Sequence, residues 1–93
     1  MEVALTIANR FLKESFDSGV DITLDKLQML IYILYREHLH RTKTKLFFEG
    51  FSSYADIPRL MSVQGVFADY GKRVLDDFHL GVNGRCEYID LSV

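Results

Sequence analysis

The chain has one cysteine, one proline, no tryptophan and no long hydrophobic run. The lone Cys86 cannot close an internal disulfide and leaves no cysteine cluster for a metal ion, so we expect a reduced, partly buried thiol. The first twenty residues carry charges throughout, which argues against a signal peptide. The most apolar run, residues 29–35, is far shorter than the roughly 20 residues that span a bilayer. We therefore expect a soluble, cytoplasmic protein with no membrane contact.

Neither sign of charge dominates the composition. The 11 lysines and arginines against 13 acidic residues give a net charge of −2. Non-specific nucleic-acid binding needs a basic footprint, so this balance argues against it, although a local basic patch remains open. A length of 93 residues indicates a single domain, residues 1–93. Since a single core is marginal at this size, a partner or a homodimer could add burial.

Catalytic patterns are also missing from the chain. His38 and His40 lie two positions apart, which puts them on different sides of a helix, and no His-Glu-x-x-His pattern occurs. There is no glycine-rich phosphate loop, and Cys86 has no base near it in the sequence. We therefore expect no enzyme activity, no metal site and no cofactor.

The clearest feature present is the segment of residues 22–35, ITLDKLQMLIYILY. Thr23 suits a helix N-cap, and Asp25 places a carboxylate in the first turn, where the helix dipole favours it. Apolar residues then recur at three- and four-residue steps, at Leu24, Leu27, Leu30, Ile31, Leu34 and Tyr35. Because Met29 and Ile33 widen that face, the pattern predicts a central, mostly buried helix from about residue 24 to about residue 41.

Two further helices and several strands are predicted around it. A stripe in residues 3–17 predicts a first helix that ends at Ser18-Gly19. Pro58 suits the first turn of a third helix, which Gly71 either weakens or ends. Residues 45–50 lose the helical period and predict a short strand, and Asn83-Gly84 suits the turn of a hairpin. The expected fold class is α+β: about three helices around a central apolar helix, with residues 1–77 mainly helical and a C-terminal β-hairpin over residues 78–93.

Two groups of residues are candidates for contacts with other molecules. Basic residues cluster at the end of the second helix: Arg36, His38, His40, Arg41, Lys43 and Lys45. They either complement the negative end of the helix dipole or grip nucleic-acid phosphates. Four aromatic residues lie outside the apolar stripes: Phe48, Phe51, Tyr54 and Tyr88. Grouped on one side they would suit a protein partner, and singly they would be half-buried packing.

The order of motifs along positions 4–71 resembles a known family. The hexapeptide of residues 7–12 (IANRFL) is similar to an opening Ala-Asn-x-Phe-Leu helix, and Leu46-Phe47 to a Leu-Phe pair. The second helix resembles Lys-Leu-x-Lys-Leu-x-Tyr-Tyr through Lys26, Leu27, Leu30 and Tyr32. Phe67, Tyr70 and Gly71 are similar to a Phe-x-x-Tyr-Gly sequence that ends a later helix of the family. Tyr54 stands where the family has a tryptophan, and Pro58 stands where it has a proline. Together these resemble the Panacea domain, the SocA-like antitoxin domain also met in phage-associated proteins.

The chain departs from that pattern at Met29, which replaces a lysine, and at Asp56-Ile57-Pro58-Arg59, which replaces Tyr-Gly-Pro-Val. It would therefore be a diverged, shortened relative.

The resemblance implies a non-enzymatic protein-binding module. Antitoxins of this kind neutralise a toxin by contact, and an adaptor-like member delivers its toxin to a protease. The partner would thus be a toxin or a host protein. We expect the partner-binding surface to comprise Phe51, Tyr54, Asp56, Arg59, Arg41, Lys43 and Lys45. Two alternatives stay open: a small phage-encoded inhibitor of a host or defence protein, and a nucleic-acid-binding regulator that uses the basic end of the second helix.

Overall fold

The computed structural model describes residues 3–47, 49–54 and 57–76, and of Val3, Ser53 and Tyr54 it describes the backbone alone. In chain order these residues form helix α1 (Val3–Ser18), helix α2 (Leu24–Thr42), strands β1 (Ser52–Tyr54) and β2 (Ile57–Arg59), and helix α3 (Met61–Phe67). A 3-10 turn, Ala68–Tyr70, follows α3. The described residues are thus a small α-rich domain.

Helix α1 follows its predicted stripe. Ile7 and Leu12 are fully buried. Gly19 ends the helix with φ +74°, a left-handed conformation that glycine adopts without steric cost, and its N–H donates to the Ser15 carbonyl. The hydroxyl of Ser15 donates to the carbonyl of Val20, which holds the turn into the next helix. The predicted helix and its glycine end are confirmed.

Helix α2 begins where the sequence predicts. The backbone N–H of Lys26 donates to the Thr23 hydroxyl over 3.4 Å, so Thr23 is the N-cap. Burial departs from the prediction of a mostly buried helix, because the buried residues Leu24, Leu27, Gln28 and Ile31 all lie in the first half. Ile33 is 50% exposed. It lies about 200° around the helix from Ile31, too far to face the same core.

The segment before α3 also differs from the prediction. Pro58 does not open a helix; it lies in β2, opposite Ser53 in an antiparallel pair, and α3 begins three residues later at Met61. A two-stranded hairpin accepts proline because an edge strand tolerates the missing N–H. The short strand predicted near residues 45–50 is not found in residues 45–47 and 49–50, since β1 begins at Ser52. Gly71, at φ +58°, ends the 3-10 turn.

One apolar core joins these elements. Its fully buried members include Ile7 and Leu12 of α1, Leu27 and Ile31 of α2, and Val63 of α3. The segment after α3 closes over it, with the Leu75 N–H donating to the Ile22 carbonyl over 2.8 Å. The radius of gyration, 12.7 Å, is close to the value of about 12 Å expected for a compact chain of this length.

The predicted hairpin of residues 78–93 lies outside the described residues, as do Phe48, Asp56, Cys86 and Tyr88. Among the described helices, none combines the length and apolar character that crossing a bilayer requires.

Candidate functional site

A groove of about 680 Å³ runs along the second half of α2. The described side chains that line it, here named the α2 groove, are Ile33, Arg36, Glu37, Leu39, His40 and Lys43. Residues 33, 36, 37 and 40 follow the i, i+3, i+4, i+7 spacing of one helix face. That face points away from Leu27 and Ile31, so one helix serves both the core and an outer surface.

The apolar part of the α2 groove is exposed to solvent. Ile33 is 50% exposed and Leu39 is 39% exposed. Single exposed aliphatic side chains are ordinary on protein surfaces. Here two of them line the same groove, beside the charged residues of the same helix.

The charged part of the α2 groove is mainly cationic. Among the described residues that line it, Arg36 and Lys43 outweigh the single acidic residue, Glu37. Among the described residues, no carboxylate forms an ion pair with Arg36, Arg41, Lys43 or Lys45. The Arg36 guanidinium lies over the ring of Tyr32, 5.7 Å from its centroid, and this contact orients the cation without neutralising it.

The end of α2 fixes the position of Lys43. Its backbone N–H donates to the Leu39 carbonyl over 2.8 Å, and its φ is +60°, in the left-handed region. Thr42 closes the same turn, with its hydroxyl donating to the His38 carbonyl over 2.8 Å. The cation at the rim of the groove is therefore held on a defined cap rather than on a frayed end.

Phe51, which the sequence places on the partner surface, packs against the helix. Its ring meets Tyr32 and Tyr35 edge-on, with centroid distances of 5.2 and 5.3 Å, and lies 5.8 Å from Phe47. Such geometry stabilises aromatic pairs beyond their burial. Phe51 therefore holds the chain just before β1 against α2, and its side chain is only partly exposed.

Arg59, another predicted contact residue, is tied into the fold. One guanidinium nitrogen donates to Asp25 over 2.8 Å and another donates to Gln64 over 2.9 Å. Its side chain is 12% exposed, whereas that of Asp25 is 61% exposed. Arg59 thus joins β2 to the start of α2 and to α3.

Two described members of the predicted surface, Arg59 and Lys43, lie far apart. Arg59 contacts Asp25 in the first turn of α2, while Lys43 caps the other end. The 18 residue steps from Asp25 to Lys43 correspond to about 27 Å along a helix. Arg41 and Lys45 are exposed but are not among the residues that line the α2 groove. The Tyr54 side chain and Asp56 lie outside the described part of the chain.

Sequence reasoning missed the groove-lining role of Ile33, Glu37 and Leu39. The apolar run that Ile33 extends predicts this residue on the buried face. A usable signal was present in the spacing, since Ile33, Arg36, Glu37 and His40 share a helix face that carries charge. A face with both charged and aliphatic residues is typical of an outer surface.

The motif residues behind the family resemblance mostly support packing. Ala8, Asn9, Leu12 and Phe67 are buried. The Tyr70 hydroxyl donates to Asp76 over 2.7 Å, close to the end of the 3-10 turn. A match at these positions would therefore indicate a shared fold more directly than a shared binding site.

Among the described residues, no group of three or more histidine, cysteine, aspartate or glutamate side chains is arranged to hold a metal ion.

Searches among family models, curated proteins and solved structures return no match to this chain. The resemblance to the Panacea domain stays an interpretation that rests on the motif order.

Proposed function

We propose that this chain is a non-enzymatic protein-binding module, antitoxin-like or adaptor-like, that neutralises or redirects a partner protein. One observation carries the proposal: exposed Ile33 and Leu39 line a groove together with cations that have no carboxylate partner in the described residues. Exposed aliphatic side chains beside charged ones are typical of a protein–protein interface.

The motif order supports the same proposal independently. A resemblance to the SocA-like antitoxin domain implies contact with a toxin rather than a reaction. In this proposal the predicted hairpin of residues 78–93 and the apolar α2 complete an α+β scaffold that presents the α2 groove. A small phage-encoded inhibitor would use the same groove on a host or defence protein. The genes beside this one distinguish the two, because an adjacent toxin favours the antitoxin.

The direct test is co-purification from cells that express the chain with its native neighbouring genes. The expected result is one partner recovered in a fixed molar ratio with the tagged chain. Coexpression should also relieve any growth defect that the partner causes alone. Recovery of no protein in stoichiometric amount, under low-salt and high-salt washes alike, would refute the proposal.

A nucleic-acid-binding regulator is the second candidate, favoured by exposed Arg41, Lys43 and Lys45 without ion pairs in the described residues. Phosphate contacts release counterions, so the logarithm of affinity would fall steeply with the logarithm of salt concentration. Titration of a duplex between 50 and 200 mM salt tests this. An affinity that does not change with salt would remove the candidate.

A further inference from the structure

The α2 groove has the length of a short helix. From Ile33 to Lys43 it follows ten residues of α2, which corresponds to about 15 Å or nearly three helical turns. Ile33 and Leu39 lie about 9 Å apart along the helix axis by the same rise. That separation is close to the roughly 10.5 Å between apolar side chains at positions i and i+7, two turns apart on a bound helix, an arrangement used in helix-in-groove recognition.

The charge around the groove differs from that of the whole chain. The chain carries a net charge of −2, yet residues 36–45 contain Arg36, Arg41, Lys43 and Lys45 with Glu37 as the one acidic residue. A concentrated positive surface on an otherwise slightly acidic protein attracts acidic partners and speeds their association. Charge complementarity therefore favours a partner with carboxylates beside its apolar residues.

Two other occupants fit the groove less well. A nucleic-acid backbone would leave Ile33 and Leu39 exposed to water, and it would bring phosphates against Glu37. A second copy of this chain would oppose like charges, because a two-fold interface sets the same cationic patch against itself. The nucleic acid would leave the apolar side chains of the groove uncovered, and the second copy would leave its cations without opposite charges.

From these features we infer that the α2 groove binds an acidic amphipathic helix of about three turns, supplied by the partner protein. This rests on the proposed protein-binding function and names the chemistry of its partner. Leucine-like side chains of the bound helix contact Ile33 and Leu39, and its carboxylates pair with Arg36 and Lys43.

The test uses three labelled 14-residue peptides with helix-forming sequences and the same leucine spacing. Their outer positions are all glutamate, all lysine or all glutamine, and binding is followed by fluorescence anisotropy. The glutamate peptide should bind at least tenfold more tightly than the lysine peptide. The change Arg36→Glu with Lys43→Glu should reverse that order, and Ile33→Asp should weaken the glutamate peptide at least tenfold.

Matched variants elsewhere on the surface provide the controls. Lys72→Glu makes the same charge change as Lys43→Glu at an exposed position that does not line the α2 groove. Met61→Asp places a carboxylate on another exposed apolar residue, 57% exposed, at the start of α3. Both should bind the glutamate peptide within twofold of the parent protein. Circular dichroism and urea unfolding of each variant show that the binding changes do not arise from unfolding.

Four outcomes would overturn the inference: equal affinity for the three peptides, no binding to any of them, tighter binding to a 30-base-pair duplex, or a dimer in sedimentation that Ile33→Asp dissociates. The groove and the proposed function can fail separately. If the native partner is recovered equally by Ile33→Asp and by the parent chain, the groove is wrong while protein binding stands. If no native partner is recovered, protein binding itself fails.

Discussion

Gln28 is fully buried, yet both ends of its amide are satisfied by a residue 32 positions away. Its side-chain nitrogen donates to the Leu60 carbonyl over 3.1 Å, and its side-chain oxygen accepts from the Leu60 N–H over 3.0 Å. The amide therefore acts as a substitute for backbone pairing where β2 ends and α3 begins. A buried polar group stabilises only while such partners are in place.

Replacing Gln28 with methionine keeps the volume and removes both hydrogen bonds. The Leu60 N–H and carbonyl then stay buried without partners, so the free energy of unfolding should fall by about 2–4 kcal/mol. Urea unfolding measures this. Gln64→Met is the comparison: Gln64 is only partly buried and loses one hydrogen bond, accepted from the Arg59 guanidinium, against two at Gln28, so it should lose about 1–2 kcal/mol. Equal losses at the two glutamines would contradict the role given to Gln28.

Arg59 and Asp25 form an ion pair whose two members differ in burial. Arg59→Ala removes two hydrogen bonds and the packing of a largely buried side chain, and should cost about 1–3 kcal/mol. Asp25→Ala removes an exposed carboxylate and should cost less than about 1 kcal/mol. Arg59→Lys should be little more stable than Arg59→Ala, because an ammonium cannot donate to Asp25 and Gln64 from two separate nitrogens as a guanidinium does. Thermal unfolding of the three variants tests this order, and a larger loss at Asp25 would refute it.

At the scale of elements, the end of α2 combines a good cap with an unfavourable residue. Lys43 holds a left-handed conformation that costs a non-glycine residue about 1 kcal/mol or more. Lys43→Gly should therefore stabilise the fold by about 1 kcal/mol, visible as a higher urea midpoint. Lys45, two residues later, does not have a positive φ, so Lys45→Gly should not raise the urea midpoint. A midpoint that falls for Lys43→Gly would contradict the left-handed conformation of Lys43.

The short helix α3 depends on a cap supplied from outside its own sequence. Leu60, its N-cap residue, provides no side-chain hydrogen bond. Glu49 supplies it instead, accepting from the Ser62 N–H over 3.0 Å and from the Ser62 hydroxyl over 2.6 Å. Glu49→Ala should cost about 1–2 kcal/mol in urea unfolding, within the range of helix caps, and Glu49→Gln should cost less. Asp21→Ala, an exposed control, should cost almost nothing; a similar cost at both positions would argue against the cap.

What the sequence predicted well is local. Thr23 as N-cap, the bounds of α2 and the glycine end of α1 each follow from residues within a turn of one another. What it missed depends on contacts across the chain. Pro58 was assigned to a helix because nothing nearby shows its pairing with Ser53, and the links from Gln28 to Leu60 and from Glu49 to Ser62 have no sequence pattern.

The candidate site shows the same division. The basic cluster at the end of α2 was visible in the sequence, but Ile33 was assigned to the core because an apolar face was extended too far around the helix. Of the predicted joint surface, Arg59 lies beside the start of α2 and Lys43 at its end, so these two residues do not share a patch. Which side of a long amphipathic helix stays uncovered depends on its neighbours, and these are set by tertiary packing.

At the scale of the whole molecule, the domain keeps its buried contacts on one side of α2 and its mixed apolar and cationic surface on the other. The core holds some of the residues that resemble Panacea motifs, among them Ala8 and Phe67, while the outer face carries Ile33, Leu39 and Lys43. A scaffold of this kind suits a protein that acts by contact. Binding should therefore respond to changes on the outer face that leave the urea midpoint unchanged.

Photo-crosslinking in the native host tests the central claim most directly. A photoreactive amino acid replaces Leu39 in the α2 groove or, as the control, the exposed Lys72, which does not line the groove. The account predicts one discrete protein adduct from position 39, none from position 72, and an adduct peptide that is acidic and helix-forming by mass spectrometry. Identical adducts from both positions, an adduct to nucleic acid, or no adduct from position 39 would contradict it.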